Sequence, residues 1–203
     1  MKLNIGSSSC HLDGWINLEY DEGYWKKHKF SGERLSEKAT RNMPDVFGDA
    51  RKLNYPDNTF NEVRASHILE HLDQSETIST IKEWWRVLKV GGFVRIIVPD
   101  FKFFIDKWIN REINIEWWDV QLNDRGLYEE SELKRPFEII DDALSHLIFL
   151  NGHHKAIFTY DLLKYYMEIS GFSDIKRCEE EEIGIPDCTV CDYSLKLIGQ
   201  KHE

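Results

Sequence analysis

A chain of 203 residues with a hydrophobic share of 41% and 31% charged residues is long enough to bury one core, and disorder or fibrous structure are poor readings of it. Its formal charge of −10 weighs against a sequence-independent grip on nucleic-acid phosphates, which requires clustered Lys and Arg. No stretch reaches the roughly 18 apolar residues of a membrane span, and the opening MKLNIGSSS lacks the apolar core of a signal peptide, so the expected location is the cytoplasm.

The first strand-like run is Leu3 to Ile5, followed by Gly6, Ser7, Ser8 and Ser9, a small-residue turn after a buried strand. A second run, Trp15 to Leu18, ends at Glu19. Parallel strands normally need a dozen or more residues of crossover, so the helix between these two is shortened or lost. Residues 20 to 43 read as loop with one modest helix around Glu33 to Asn42. Pro44 to Phe47 reads as a short third strand leading into Gly48, Asp49 and Ala50, and the turn cluster at Pro56 to Asn58 precedes a fourth strand, Phe60 to Ala65.

The clearest helix starts near Asp73, which has capping-box spacing to Glu76, with Ile78, Ile81, Trp85 and Leu88 on one face and Gly91 and Gly92 at its end. Phe93 to Val98 is an apolar run of strand length, stopped by Pro99. Aromatic residues are dense from Phe101 to Trp118, and Phe101, Phe104, Ile105, Trp108 and Ile109 fit a helix that serves as a lid or outer layer. A charged loop at 119 to 136 and a helix at Phe137 to Leu150 are expected next, then a helix at Tyr160 to Ser170 ended by Gly171. Ile175 to Cys178 and Tyr193 to Ile198 form a closing antiparallel pair.

Strands alternating with helices and then a final hairpin predict an α/β fold, an open and mostly parallel sheet with helices on both faces. Ligands of such sheets sit at the carboxyl ends of the strands, near the point where strand order reverses. Gly6, Glu19, Asp49 and Ser66 would then surround one crevice.

The segments LNIGSS at Leu3 to Ser8, GWINLE at Gly14 to Glu19, GDARKLNYPDNTFNEVRASHILEHL at Gly48 to Leu72 and WWRVLKVGGFVRIIVPD at Trp84 to Asp100 resemble the class I S-adenosylmethionine-dependent methyltransferases. The resemblance is to their small bacterial and phage-type members and covers residues 2 to 100. It implies a Rossmann-like single domain over 1–203, with S-adenosylmethionine as cofactor, S-adenosylhomocysteine as product and a variable acceptor-binding segment at about 101–150. Gly6 would let the backbone approach the cofactor, and the small residues after it would leave their N–H groups free. A simple tight turn accounts for Gly6 equally well, and Ser7, Ser8 and Ser9 stand where the family usually has further glycines. Glu19 would accept from both ribose hydroxyls, Asp49 from the adenine amino group, and the Ala50 amide would donate to the ring. Ser66 and His67 would line the methionine end, and the implied cofactor set also takes in Asn4, Arg51 and His71.

Methyl transfer from a sulfonium is a direct displacement and needs no metal; no metal is expected. His67, Glu70 and His71 can share a helical face, but HILEH has its acid one place away from the HExxH of zinc hydrolases. The lone CxxC of Cys188 and Cys191, in a chain whose other cysteines are Cys10 and Cys178, reads as two reduced thiols. The base expected for an oxygen acceptor is His154, in NGHHKAIFTYDLL, with His153 as its rival and Asp100 as a second candidate. The acceptor is expected to be a small molecule or saccharide offering an oxygen or a nitrogen.

Three other readings compete. A nicotinamide-dependent oxidoreductase would need GxGxxG after the first strand, which is absent. A methyltransferase-like protein without activity, serving as a binding or scaffolding module, fits the serine-substituted loop. The acidic run Glu179 to Glu182 could dock a basic partner, and the missing early helix leaves a sheet face that a second copy of the chain could cover in a homodimer.

Overall fold

The computed structural model describes residues 1–7, 11–20, 44–110, 112, 145, 153–178 and 193–203. Ser8, the helix expected around Glu33 to Asn42, the loop at 119 to 136, the helix Phe137 to Leu150, Trp118, the acidic run Glu179 to Glu182 and three cysteines (Cys10, Cys188 and Cys191) lie outside the described residues.

Seven strands form one sheet: β1 Lys2–Ile5, β2 Ile16–Glu19, β3 Val46–Phe47, β4 Phe60–Ser66, β5 Leu88–Pro99, β6 Phe172–Arg177 and β7 Ser194–Lys201. Their order is β3-β2-β1-β4-β5-β7-β6. β1 to β5 pair in parallel, while β7 runs antiparallel to both β5 and β6. The mostly parallel sheet with its closing hairpin is therefore as expected. Strand order reverses between β1 and β4, so the crevice predicted for ligands opens beyond Ile5 and Ser66.

Alternation along the strands builds the core. Leu3 and Ile5 pair in register with Val63 and Ala65, which pair with Val94 and Ile96, and all six are buried. Helices α1 (Gln74–Val87) and α3 (Tyr160–Ile169) bring Ile81, Trp84, Leu163 and Met167 into the same cluster. The alternate positions hold a buried polar layer instead: Asn4 Nδ2 donates to Asn17 Oδ1 at 3.0 Å, Arg64 Nη1 donates to Asn4 Oδ1 at 2.9 Å, and Arg95 pairs with Glu62.

The capping box is present, with the Asp73 side chain accepting from the Glu76 amide and the Glu76 carboxylate accepting from the Asp73 amide. The buried face of α1 is turned from the expected one, toward Thr77, Ile81, Trp84 and Val87. Trp85 stays half-buried because its Nε1 donates to the Gly171 carbonyl beyond α3.

Gly91 and Gly92 do not end α1. The helix stops at Val87, and both glycines lie inside β5, which starts at Leu88, five residues before the expected Phe93. The physical reason is a register shift against β4 between Phe60 and Glu62, taken up by Gly91 at φ 78° and by Gly92, where a Cβ would come within 3.0 Å of the Asn61 carbonyl. Phe101–Ile109 is helix α2 as expected, capped by Asp100, with only Phe104 fully buried on it.

Candidate functional site

Five segments meet at the carboxyl edge of the sheet. Gly6 follows β1 at φ 68°, and a Cβ there would come within 2.3 Å of Ile68 Cδ1, so the turn after β1 is packed directly against the turn after β4. Only glycine combines that backbone with that contact. Of the amides expected to be free after it, that of Ser7 is corrected by the structure: like Gly6 N, at 3.0 Å, Ser7 N donates to the Leu18 carbonyl, at 3.2 Å, because the turn folds back onto β2, while Ser8 and Ser9 lie outside the described residues. Ser7 Oγ, by contrast, is buried without a partner.

Glu19 is the last residue of β2, half-buried, in register with Phe47, and its carbonyl accepts from Gly48 N. Asp49 therefore starts the loop directly beside Glu19, and two acids stand side by side at the ends of β2 and β3. The Asp49 carboxylate is gripped by Arg51, whose Nη2 donates to Oδ2 at 2.8 Å while its Nη1 donates to Glu76 Oε1 at 2.6 Å. The hydrogen bonds from Arg51 hold the Asp49 carboxyl below the usual carboxylate range. Ala50 is anchored through its carbonyl, which accepts from Trp84 Nε1 at 3.0 Å. Asn4, expected in the cofactor set, commits both ends of its amide to the buried layer described above.

After β4 the chain makes a concentrated group of polar side chains. Ser66 Oγ is buried without a partner. His67 has φ 54°, a left-handed conformation that non-glycine residues rarely adopt and that recurs at functional sites. Its Nδ1 lies 2.9 Å from Glu70 Oε1, and its Nε2 lies 3.3 Å from Ser194 Oγ at the start of β7. Glu70 sits in a short 3-10 turn, Leu69–His71, and is 1% exposed, with Oε2 unpartnered. Burial pushes its carboxyl up, but the hydrogen bond from His67 and the nearby His67, His71 and His154 outweigh that and hold it below its ordinary value.

His154 reaches this group from the far end of the chain. Lys155 N and Ala156 N donate to the Glu70 carbonyl at 2.7 and 3.2 Å, which lays the segment 153–156 across the turn. The His154 ring then packs edge-on against His71, with centroids 5.0 Å apart, and the His153 carbonyl lies 3.0 Å from His71 Nδ1. His153 thus contributes its backbone to the group. Asp100 is spent differently: it caps α2 by accepting from Lys102 N at 3.0 Å and lies 3.6 Å from Arg177. The structure therefore joins His67, His71 and His154, and assigns Asp100 to the helix end. Sequence reasoning weighed Glu70 only in a metal set that it set aside, and gave no role to Ser194. The HILEH spacing carried a signal for Glu70, whereas Ser194 is brought in by the β5 and β7 pairing alone.

These features fit S-adenosylmethionine. Two adjacent strand-end acids suit a ribose and an amine, a turn at Gly6 has no room for a Cβ, and two buried serine hydroxyls, at Ser7 and Ser66, lack partners.

A family model described as a methyltransferase domain matches residues 27–96. A SAM-dependent methyltransferase from Archaeoglobus fulgidus superposes with a TM-score of 0.56 at 17% identity, covering 98% of this chain and 85% of that one. The chain has the fold of the SAM-dependent methyltransferases, and residues 27–96 match the methyltransferase-domain model. The YcgJ protein of Bacillus subtilis shares the fold at a TM-score of 0.54 and 13% identity, covering 100% of this chain and 92% of that one. Human N-acetylserotonin methyltransferase, solved in complex with SAM, gives 0.54 at 12% identity, with 100% of this chain covering 47% of the longer protein. No curated protein matches the chain in sequence. The matched domain and the shared fold support S-adenosylmethionine as the cofactor. Among the described residues, no helix is long and apolar enough to cross a membrane.

Proposed function

We propose that this methyltransferase acts in the cytoplasm as one domain over residues 1–203, moving a methyl group from S-adenosylmethionine to an oxygen, or a nitrogen, of a small molecule or saccharide. The observation that carries the acceptor class is the hydrogen-bonding group formed by His67, Glu70, His71 and His154 just past β4. An uncharged oxygen nucleophile has a proton to lose, and imidazoles backed by a buried carboxylate suit that task.

When bound, the cofactor supplies a methyl carbon already activated by a positively charged sulfur. The chain's own residues hold and align. Glu19 accepts from the ribose hydroxyls, Asp49 and the Ala50 amide address the adenine, and Ser7 and Ser66 offer buried hydroxyls to the remainder. Ser8 and Arg51 complete the cofactor set, Arg51 by fixing the Asp49 carboxylate. Alignment of acceptor and methyl is worth several kcal/mol of barrier, roughly 7 at the lower end of measured cases.

Among the expected bases the geometry favours a neighbour. Glu70 accepts from His67 Nδ1, which leaves Nε2 as the basic nitrogen, beside Ser194 Oγ. His67 thus takes the acceptor proton, Glu70 keeps its tautomer and orientation, and His154 and His71 bound the acceptor on the other side. His153 and Asp100 act through the backbone and the α2 cap.

The test is S-adenosylhomocysteine release across a panel of monosaccharides, catechols and amines, with wild type and His67→Asn. Asparagine tolerates the left-handed backbone at this position. The variant is expected to lose about a hundredfold or more in kcat, with S-adenosylhomocysteine affinity changed less than tenfold. Equal loss of cofactor affinity would instead make His67 a cofactor-binding residue. No turnover with any acceptor, despite firm cofactor binding, would favour a binding module without activity.

A further inference from the structure

Glu70, His71 and His154 each offer one donor atom, and these atoms all lie within 4.8 Å of one another. We propose that these three residues form a binding site for a divalent transition-metal ion of the zinc class, with at least one coordination position left for water. If the methyl-transfer reading above holds, that position also admits an oxygen of the acceptor.

Three independent features support the site. The first is the donor set. Two imidazole nitrogens and one carboxylate suit zinc or iron, and three protein ligands with an open position is the pattern of sites that admit a reactant. Magnesium and calcium prefer oxygen alone.

The second is the unsatisfied oxygen. Glu70 is 1% exposed, its Oε1 is engaged by His67, and its Oε2 has no partner among the described residues. A buried carboxylate oxygen without a partner is costly, and a cation at this point would satisfy it.

The third is the outer support. The His153 carbonyl can accept only from a protonated Nδ1 of His71, so the lone pair of His71 stays on Nε2, available to an ion. Ligating histidines commonly have their second nitrogen fixed in this way, and His67 does the same for the Glu70 carboxylate. The two hydrogen bonds from Lys155 and Ala156 to the Glu70 carbonyl fix the distance between His154 and the rest. Donors about 2.1 Å from a shared ion lie about 3.4 Å apart at the tetrahedral angle, so loading draws the rings inward. His71 is exposed and His154 half-buried.

This departs from the expectation that no metal is held, and the set differs from the His67, Glu70 and His71 grouping that the sequence spacing argued against. His67 is turned to the carboxylate, and the third ligand comes from residue 154, a partner that no local spacing reveals.

The test uses tag-free full-length protein, treated with chelator and dialysed, then titrated with Co²⁺ while visible d–d absorption is recorded. S-adenosylhomocysteine binding is measured on the same preparation. The expected result is saturation at one Co²⁺ per chain, displacement by Zn²⁺ and no displacement by Mg²⁺ at equal concentration. His71→Ala and His154→Ala, neither fully buried, should each weaken Co²⁺ binding by at least about tenfold. His202→Ala, which removes an exposed histidine paired with Asp174, should leave it unchanged. No saturable absorption, binding that survives both site variants, or equal displacement by Mg²⁺ would overturn the proposal. Homocysteine-derivative binding without Co²⁺ binding removes the metal site alone, and the reverse removes the methyltransferase reading while supporting the metal site.

Discussion

At Gly6 two separate constraints act on one atom that is not there. The φ of 68° disfavours any side chain, and the nearest obstacle to a Cβ, Ile68 Cδ1 at 2.3 Å, belongs to the turn that carries the histidine group. Gly6→Ala should therefore push the two turns apart and weaken S-adenosylhomocysteine binding by about tenfold or more, which is about 1.4 kcal/mol; calorimetry reads this. Unchanged affinity would mean that the turn after β1 does not approach the cofactor. Sequence alone could reveal that a glycine follows a strand, but the identity of the opposing residue depends on the parallel pairing of β1 with β4. The burial of Glu70 was illegible for a related reason. A glutamate in a polar turn reads as solvated, and only the segment at 153–156, tied to its carbonyl, explains its burial.

Helix α1 links the core to the cofactor edge through Trp84 and the ion pair of Glu76 with Arg51. Trp84 is fully buried and holds the Ala50 carbonyl, so Trp84→Ala should cost about 3 to 5 kcal/mol of stability in chemical denaturation. Trp84→Phe keeps most of the volume and loses the hydrogen bond, so it should cost less than half as much stability while still lowering cofactor affinity.

Glu83 ties the same helix to the loop between β3 and β4, accepting from Leu53 N at 2.8 Å, and also accepts from Arg86 Nη2 at 2.7 Å. The Arg86 hydrogen bond outweighs burial and holds the Glu83 carboxyl below its ordinary value. A carboxyl lowered in the folded state adds stability above its unfolded pKa and loses it as pH falls through the folded one. Glu83→Gln should therefore lower the melting temperature at pH 7, by the equivalent of roughly 1.5 to 3 kcal/mol. The gap to wild type should narrow as pH drops below about 4. A gap that stays constant with pH would show that the charge of Glu83 does not contribute.

At this scale the sequence was most legible where a local rule decides. The capping box at Asp73 and the glycine stop after α3 follow from spacing alone. It was least legible where pairing decides. Gly91 and Gly92 look like a helix stop and are a bend inside β5, because the shifted register against β4 is invisible in the chain. The end of β7 was also missed: Lys201 is 4% exposed, and its Nζ donates to Asn58, to the Trp85 carbonyl and to the Leu88 carbonyl. A lysine near the end of a polar run gives no hint that it satisfies the carbonyls where α1 ends.

For the whole molecule, the reversal of strand order between β1 and β4 organises everything else. It brings Gly6 to Ile68, sets the acids of β2 and β3 on one side and the histidine group on the other, and lets β7 supply Ser194 from the end of the chain. The central claim is that the edge bounded by Glu19 and Asp49 holds S-adenosylmethionine. Calorimetric titration of wild type and Glu19→Ala with S-adenosylmethionine and S-adenosylhomocysteine, with NAD as the control, tests it most directly. The account predicts saturable binding of both sulfur compounds, none of NAD, and a loss of about tenfold or more in the variant. Absence of binding by the wild type, or equal binding by wild type and Glu19→Ala, would contradict it.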